Sequence, residues 1–178
     1  IVTTIGFLAQ WKRLPLILGE LLLRLRRRKR IFLQVLTPIP CDGNAGERGR
    51  VEKVLAKSDI PSFFSTDFRS DDELMDRVHV SDLGFLFHGE HTGSVSAATK
   101  TFVSARTPFV ITQSTHASDI RGGVVRVPGF DPGPFADVVN QLIGDPRILG
   151  LRQDLEIEYA RLSMDVVAAK YLALFRSL

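Results

Sequence analysis

The chain alternates regularly between two kinds of segment, and this alternation constrains its fold more than any other sequence feature. Short apolar, β-branched and aromatic runs predict buried strands at residues 1–7, 31–38, 62–66, 83–88, 108–112 and 124–128. Amphipathic stretches predict helices at 14–28, 47–57, 71–80, 96–105, 134–143, 148–160 and 164–177. The pattern therefore predicts an α/β fold: a Rossmann-like, doubly wound, mostly parallel sheet with helices on both faces.

The length and composition indicate one globular domain over residues 1–178. With 44% hydrophobic and 24% charged residues, the chain has the ordinary composition of a folded protein and not that of a disordered one. We expect the carboxyl-terminal helices, residues 146–178, to pack back on this domain. In the last helix Val167, Tyr171 and Leu174 share one face, which predicts that this side is buried.

The single cysteine and the short apolar runs bear on localisation. Cys41 has no second cysteine to pair with, so nothing requires an oxidising compartment. The longest apolar stretch, residues 14–23, contains Pro15 and Glu20 and has about half the ~20 residues needed to span a bilayer. We therefore expect a cytoplasmic protein, with peripheral contact to the inner face of a membrane as an alternative.

One run, Arg24 to Arg30, carries six positive charges and by itself exceeds the formal net charge of +3. This run ends a predicted helix, where cations interact favourably with the helix dipole, so a solvated helix end is the simplest interpretation. Docking on anionic lipid is the main alternative. No aromatic residue lies within the run, so binding of nucleic acid through base stacking is not indicated.

Ligands of doubly wound sheets bind beyond the carboxyl ends of the strands, so the loops that follow the strands are the candidate sites. The first strand ends at Gly6 and Phe7, and Lys12 and Arg13 precede the next helix. A cation at this place suits an anionic ligand such as a phosphate. The alternative is that both side chains are simply solvated.

The loop from His88 to Ser96 is the segment richest in candidate binding groups. Gly93 permits close backbone approach, and Ser94 and Ser96 supply hydroxyls before a predicted helix. Free N–H groups at that helix start form an anion site that fits a diphosphate. The alternative is a polar connection whose serines only cap the helix. No Gly-Lys-Ser/Thr follows, so the loop is not a P-loop.

The same loop raises the question of a metal ion. His88, Glu90 and His91 form an H-x-E-H pattern on a loop, which is not the helical HExxH pattern of zinc sites. We therefore expect no metal and no cofactor, and a hydrogen-bonding or base role toward a sugar is favoured. A hydrolase cluster of Ser118, His116 and Asp119 is disfavoured, because no nucleophile elbow precedes it.

The order of segments carries a resemblance over nearly the whole chain. Its landmarks are Gly6 and Lys12 around the first turn, Asp71 and Ser81-Asp82 around the fourth strand, the Gly/Ser loop, Pro108, Asp145-Pro146, and Tyr159-Ala160 with Ser163. In these respects the chain resembles the C-terminal donor-binding domain of GT-B glycosyltransferases, especially the retaining family 4. The resemblance implies a Rossmann-like half of a two-domain enzyme, whose N-terminal acceptor-binding domain is missing from this chain.

The resemblance also implies roles for individual residues. Lys12 would neutralise the departing diphosphate of a nucleotide-sugar donor, which is a substrate, and Glu90 would act with it in catalysis. The donor-binding positions would be Gly6, Lys12, His91, Gly93, Ser94, Val95, Ser96 and Thr101. Transfer would need no metal, and this chain alone would be inactive.

Departures from the family pattern support a competing interpretation. Phe7-Leu8 stand where many members carry an arginine. Two glutamates of the pattern would fall at Gly93 and Thr101 and are absent, and Glu90 is displaced by three positions. The alternative is a degenerate, non-catalytic GT-B domain that serves protein or membrane contact. A nucleotide-binding domain of a sugar epimerase also fits the fold but has no specific motif here.

Overall fold

The structure is a computed structural model, which describes residues 1–28, 30–39, 45–88, 96–113 and 115–176. Its centre is a sheet of six parallel strands. They are β1 (Val2–Ile5), β2 (Leu33–Leu36), β3 (Ser62–Ser65), β4 (Leu83–Leu86), β5 (Phe109–Thr112) and β6 (Val124–Val127). The spatial order β3-β2-β1-β4-β5-β6 is that of the doubly wound Rossmann fold, so the predicted fold class is confirmed.

Helices connect the strands and complete the chain. They are α1 (Leu14–Leu25), α2 (Ala45–Ala56), α3 (Asp71–His79), α4 (Ala97–Ser104), α5 (Pro132–Leu142), α6 (Arg147–Leu162) and α7 (Met164–Arg176). Each predicted strand and helix is present, with bounds that differ by at most three residues. Within the described ranges, no helix has both the length and the apolar character needed to cross a membrane.

Successive side chains of each strand point to opposite faces of the sheet, and together they form two hydrophobic cores, one on each face. In β4, Phe85 points to the core under α1, α2 and α5, whereas the next residue, Leu86, points to the core under α3 and α4. Gly84 also faces α4, where a Cβ atom would lie 2.2 Å from the ring of Phe102. A glycine is therefore required there for the helix to approach the strand.

The last two helices differ in how they pack. Leu155 and Glu158 of α6 are buried against the domain. The described part of α7 contains no buried residue, and Tyr171 and Leu174 are more than half exposed. The prediction that the face of Val167, Tyr171 and Leu174 is buried is therefore wrong for this chain. An amphipathic pattern indicates that a face can be buried but does not identify the surface that covers it.

The strand order fixes where a ligand crevice opens. The chain leaves β1 toward one face of the sheet and leaves the neighbouring β4 toward the other, because the order of strands reverses between them. Doubly wound sheets bind ligands at such a reversal, at the carboxyl edge of the strands. Gly6, Lys12 and His88 lie together at this place.

Candidate functional site

Lys12 reaches the crevice through a tightly folded connection between β1 and α1. The chain leaves β1 at Gly6, with φ 104°, forms a 3-10 turn at Gln10–Lys12, and enters α1 through Arg13 in the left-handed region. This path returns the Lys12 side chain over Gly6. A Cβ atom at Gly6 would lie 2.9 Å from Lys12 Nζ, so the absence of a side chain at Gly6 makes the room for the ammonium group.

The Lys12 ammonium group is largely removed from water. Burial lowers the pKa of Lys12 from 10.5 to about 8, because desolvation disfavours the charged form. At pH 7 the group is still mainly protonated and carries its charge inside a poorly hydrated crevice. An anion that binds there would interact with it more strongly than with a lysine on the surface.

The side chains around Lys12 enclose a small cavity of about 20 Å³. A space of that size holds about one water molecule. The polar groups of its lining come from Lys12, Thr37, His88 and Thr4. Thr37 and His88 directly follow β2 and β4, so three neighbouring strands β2, β1 and β4 each direct a polar residue to this cavity from their carboxyl ends.

Thr37 is a residue of this site that the sequence analysis missed. Its side chain is buried, and its hydroxyl oxygen has no hydrogen-bond partner among the described residues, although its backbone N–H donates to Ser65 O at 3.0 Å. A buried hydroxyl is normally hydrogen-bonded. The signal was available, since Thr37 ends an apolar run directly before Pro38, at the carboxyl end of a predicted strand.

His88 is held in place by the neighbouring strand. Its backbone N–H donates to Thr112 Oγ1 at 2.9 Å, and the same hydroxyl donates to His88 O at 2.8 Å. The side chain of His88 is 2% exposed and lines the cavity. The structure thus places His88 beside Lys12 in the lining of the cavity. The sequence offered His88 as a member of a disfavoured metal set and as a hydrogen-bonding or base group toward a sugar.

The amino terminus of α4 meets the same point. Ser96 is the N-cap residue in extended conformation, and within the described residues its side chain makes no capping hydrogen bond. Ala98, in the first turn, is packed so closely that its Cβ would lie 3.5 Å from a Cβ at Gly6. Gly6 therefore contacts both the positive end of the α4 dipole and the Lys12 ammonium, which is an arrangement suited to an anion.

The remaining predicted site residues fall into two groups. Glu90, His91, Gly93, Ser94 and Val95 lie outside the described residues. Thr101 lies one turn into α4, where its hydroxyl donates to Ala97 O at 3.1 Å and is partly exposed.

Asp119, one member of the disfavoured hydrolase cluster after β5, has other partners, whereas the side chain of His116 is not among the described ones. The Asp119 carboxylate pairs with the Lys100 ammonium, and Arg161 donates to the Asp119 carbonyl oxygen at 2.5 Å. The charge of Lys100, a residue of α4, is thus offset by Asp119.

Comparisons with known proteins give matches in structure but not in sequence. No family model and no curated protein matches the chain. The chain is similar to an α,α-trehalose-phosphate synthase (UDP-forming) from Burkholderia vietnamiensis, with TM-score 0.76 and 15% identity over 99% of this chain and 43% of that one. The Burkholderia xenovorans enzyme in complex with glucose-6-phosphate matches with TM-score 0.78 and 12% identity, over 98% and 43%.

A third solved structure, the E. coli enzyme bound with UDP-2-fluoro glucose, has TM-score 0.79 and 13% identity, over 99% of this chain and 44% of that one. The chain thus spans less than half the length of these structural neighbours. At such identities the likeness shows the fold, which is that of one half of a GT-B glycosyltransferase. It does not support the narrower family 4 label or the position of the domain within a longer protein.

Proposed function

We propose that this chain is the half of a glycosyltransferase that binds the nucleotide-sugar donor, and that the donor diphosphate lies between Lys12 and the amino terminus of α4. The observation that supports this proposal most strongly is the position of Gly6, which lies beside both Lys12 Nζ and the first turn of α4. This point lies at the reversal of strand order, where doubly wound sheets bind nucleotides. The fold shared with UDP-forming synthases supports the same ligand class.

The chemistry of the proposal follows from where charge develops. When the bond between the anomeric carbon and the diphosphate oxygen breaks, the bonding electrons leave with the diphosphate. An acceptor hydroxyl oxygen bonds to that carbon and gives its proton to the departing diphosphate oxygen. A fixed ammonium and fixed backbone dipoles stabilise the departing charge without reorganising at that moment. Lys12 supplies the ammonium, and the N–H groups from Gly93 to Ser96 supply the dipoles.

The other expected roles complete the proposal. Glu90 and His91 orient the donor sugar, and Ser94 and Val95 contribute to the anion-binding loop. Thr101 stands where the family pattern has a ribose-binding glutamate. Its hydroxyl oxygen keeps a lone pair that can accept a hydrogen bond from a ribose hydroxyl. No metal is needed in this scheme, and the acceptor binds to a further domain.

One observation favours the second candidate, a non-catalytic domain of the same fold. Phe7 stands at the arginine position of the family pattern, and its ring is 50% exposed and packs on Phe68 with ring centroids 6.0 Å apart. A phenylalanine cannot neutralise a phosphate. Lys12 is then the only cation that the described residues place in the cavity lining, so donor affinity depends on it.

A thermal-shift titration with nucleoside diphosphates and nucleotide sugars tests the proposal. Ligand at 100 times its dissociation constant should stabilise the chain by about 2.7 kcal/mol. We expect a raised melting temperature with one base, abolished in Lys12→Met and retained in the matched control Lys170→Met, which removes an exposed lysine of α7.

The opposing result is equally specific. If no nucleoside diphosphate or nucleotide sugar shifts the melting temperature at millimolar concentration, the donor site is absent and the non-catalytic candidate stands. If a ligand shifts Lys12→Met as much as the unmodified chain, binding exists but the assigned site is wrong.

A further inference from the structure

A shallow groove at the end of α1 carries a concentration of arginines that the proposed function does not use. The groove has a volume of about 380 Å³. We call it the arginine groove, and its lining residues are Leu23, Arg24, Arg26, Arg27, Arg28 and Asn140. α1 starts beside Lys12 and runs for 12 residues, or about 18 Å. The groove therefore lies at the amino edge of the sheet, opposite the candidate donor site.

Two of the arginines are anchored to the protein. Arg24 makes ion pairs with Glu20, at 2.6 Å, and with Asp137, so its charge is compensated. Among the described residues, Arg28 is bound by neutral acceptors alone, at 2.7–2.8 Å: the side chain and carbonyl of Asn140 and the carbonyl of Ile143. These carbonyls lie at the carboxyl end of α5 and fix the guanidinium while leaving it a cation.

Arg26 and Arg27 carry the uncompensated charge of the groove. Both are exposed, and no described residue forms an ion pair or a side-chain hydrogen bond with either. Together with Arg28 they place three guanidinium groups within three successive positions of the chain. A cluster of cations without acidic neighbours attracts an anionic partner and gives each guanidinium donors for phosphate oxygens.

An exposed leucine lies beside these cations. Leu23 lines the groove and is 57% exposed. Large apolar side chains next to arginines on one helix surface are typical of segments that lie in the membrane interface. They contribute nothing to binding a phosphate backbone in water, which favours a lipid surface over a nucleic acid.

We propose that the arginine groove docks the chain on an anionic membrane surface. The guanidinium groups of Arg26, Arg27 and Arg28 contact lipid phosphates, and Leu23 enters the boundary between headgroups and acyl chains. In this orientation the carboxyl edge of the sheet, with Lys12, faces away from the membrane and stays open to solutes. The inference rests on charge and shape at the amino edge and does not depend on the proposed function.

Vesicle co-sedimentation of the 178-residue chain tests the inference. Vesicles of phosphatidylcholine with 25% phosphatidylserine are compared with pure phosphatidylcholine at low and at high salt. Near an anionic surface each arginine contributes roughly fivefold in affinity, so Arg26→Ser/Arg27→Ser should weaken binding about 30-fold. The matched control Lys170→Ser/Arg176→Ser removes two exposed cations of α7 and should leave binding close to that of the unmodified chain.

Two further arms separate a membrane surface from other anions. Leu23→Ser should weaken binding also at high salt, where screening has removed most of the electrostatic part. We expect 10 mM inorganic phosphate and a single-stranded oligonucleotide to compete poorly with anionic vesicles. The substituted side chains are exposed, so we expect the variants to keep the melting temperature of the unmodified chain. An unchanged melting temperature shows that a variant still folds.

Several results would overturn the inference. Equal binding to neutral vesicles removes the role of the arginines, and an equal loss in the α7 control reduces the effect to net charge. Displacement by inorganic phosphate indicates a site for a soluble anion, and preferred binding of the oligonucleotide indicates a nucleic-acid surface. Absence of binding to anionic vesicles at low salt refutes the inference directly.

Discussion

Replacing Lys12 by methionine should stabilise the ligand-free chain at neutral pH. Burial lowers the pKa of Lys12 from 10.5 to about 8, so the folded state binds the proton less tightly than the unfolded state. Below pH 8 both states are protonated and the folded state carries the full penalty. As the pH rises from 8 toward 10.5, the folded state has already lost its proton, and the penalty disappears.

The size of the effect follows from the two pKa values. The penalty is about 3 kcal/mol at pH 7 and falls to about 1 kcal/mol at pH 10. Methionine has nearly the same length and no charge, so Lys12→Met should raise the free energy of unfolding by up to about 3 kcal/mol at pH 7. For a chain of this size that corresponds to a rise of roughly 6–12 °C in melting temperature.

Urea denaturation at pH 7 and at pH 10 measures the difference in free energy of unfolding between Lys12→Met and the unmodified chain. The titration of all other groups cancels in this difference. The control Lys170→Met changes an exposed lysine and should give a difference near zero at both pH values. A Lys12→Met chain that is less stable at pH 7, or whose advantage does not shrink at pH 10, would refute the argument that the ammonium is desolvated.

Further predictions concern the backbone around the site and the packing of the sheet. Gly6→Ala should lose about 1–2 kcal/mol of stability for its left-handed backbone and should also abolish the nucleotide-induced thermal shift. Gly129 has a positive φ but open space around it, so Gly129→Ala should lose stability but keep the nucleotide-induced thermal shift. Thr112→Val should destabilise by about 1–3 kcal/mol in urea titrations, because it leaves a buried N–H and a buried C=O without their partner. Gly84→Ala should cost about 1–3 kcal/mol by overpacking against a phenylalanine ring, whereas Gly150→Ala, in the open on α6, should stabilise by about 1 kcal/mol.

The sequence predicted the elements well because the four central strands are buried on both faces. Runs such as Leu83–Leu86 and Phe109–Thr112 are fully buried, and a continuous apolar run between polar helices leaves little doubt about the strand. The start of α3 is capped by its own sequence, since Ser70 Oγ accepts from Glu73 N at 3.3 Å, as a serine at the N-cap position does. Local chemistry and burial agree at these places.

The site could be predicted only in part, because its geometry depends on tertiary contacts. The sequence shows that Lys12 follows a strand, but its burial depends on the left-handed Arg13 and on the glycine beneath the ammonium. It gives no sign that α4 touches Gly6, since that contact follows from the order of strands. The apolar face of α7 shows the same limit, because a pattern does not specify its partner.

Lysine modification read by mass spectrometry tests whether the donor diphosphate binds at Lys12, because it reports the reactivity of that one side chain. The chain is labelled with an amine-reactive anhydride near pH 8, alone, with the nucleoside diphosphate selected by thermal shift, and with the corresponding nucleoside. We expect the diphosphate to protect Lys12 from labelling, because a bound anion raises the pKa of Lys12 and covers its ammonium group. The nucleoside should not protect it. Lys53 and Lys170 should be labelled equally in all three samples. Unchanged labelling of Lys12 under saturating diphosphate would contradict the assignment of this crevice as the donor site.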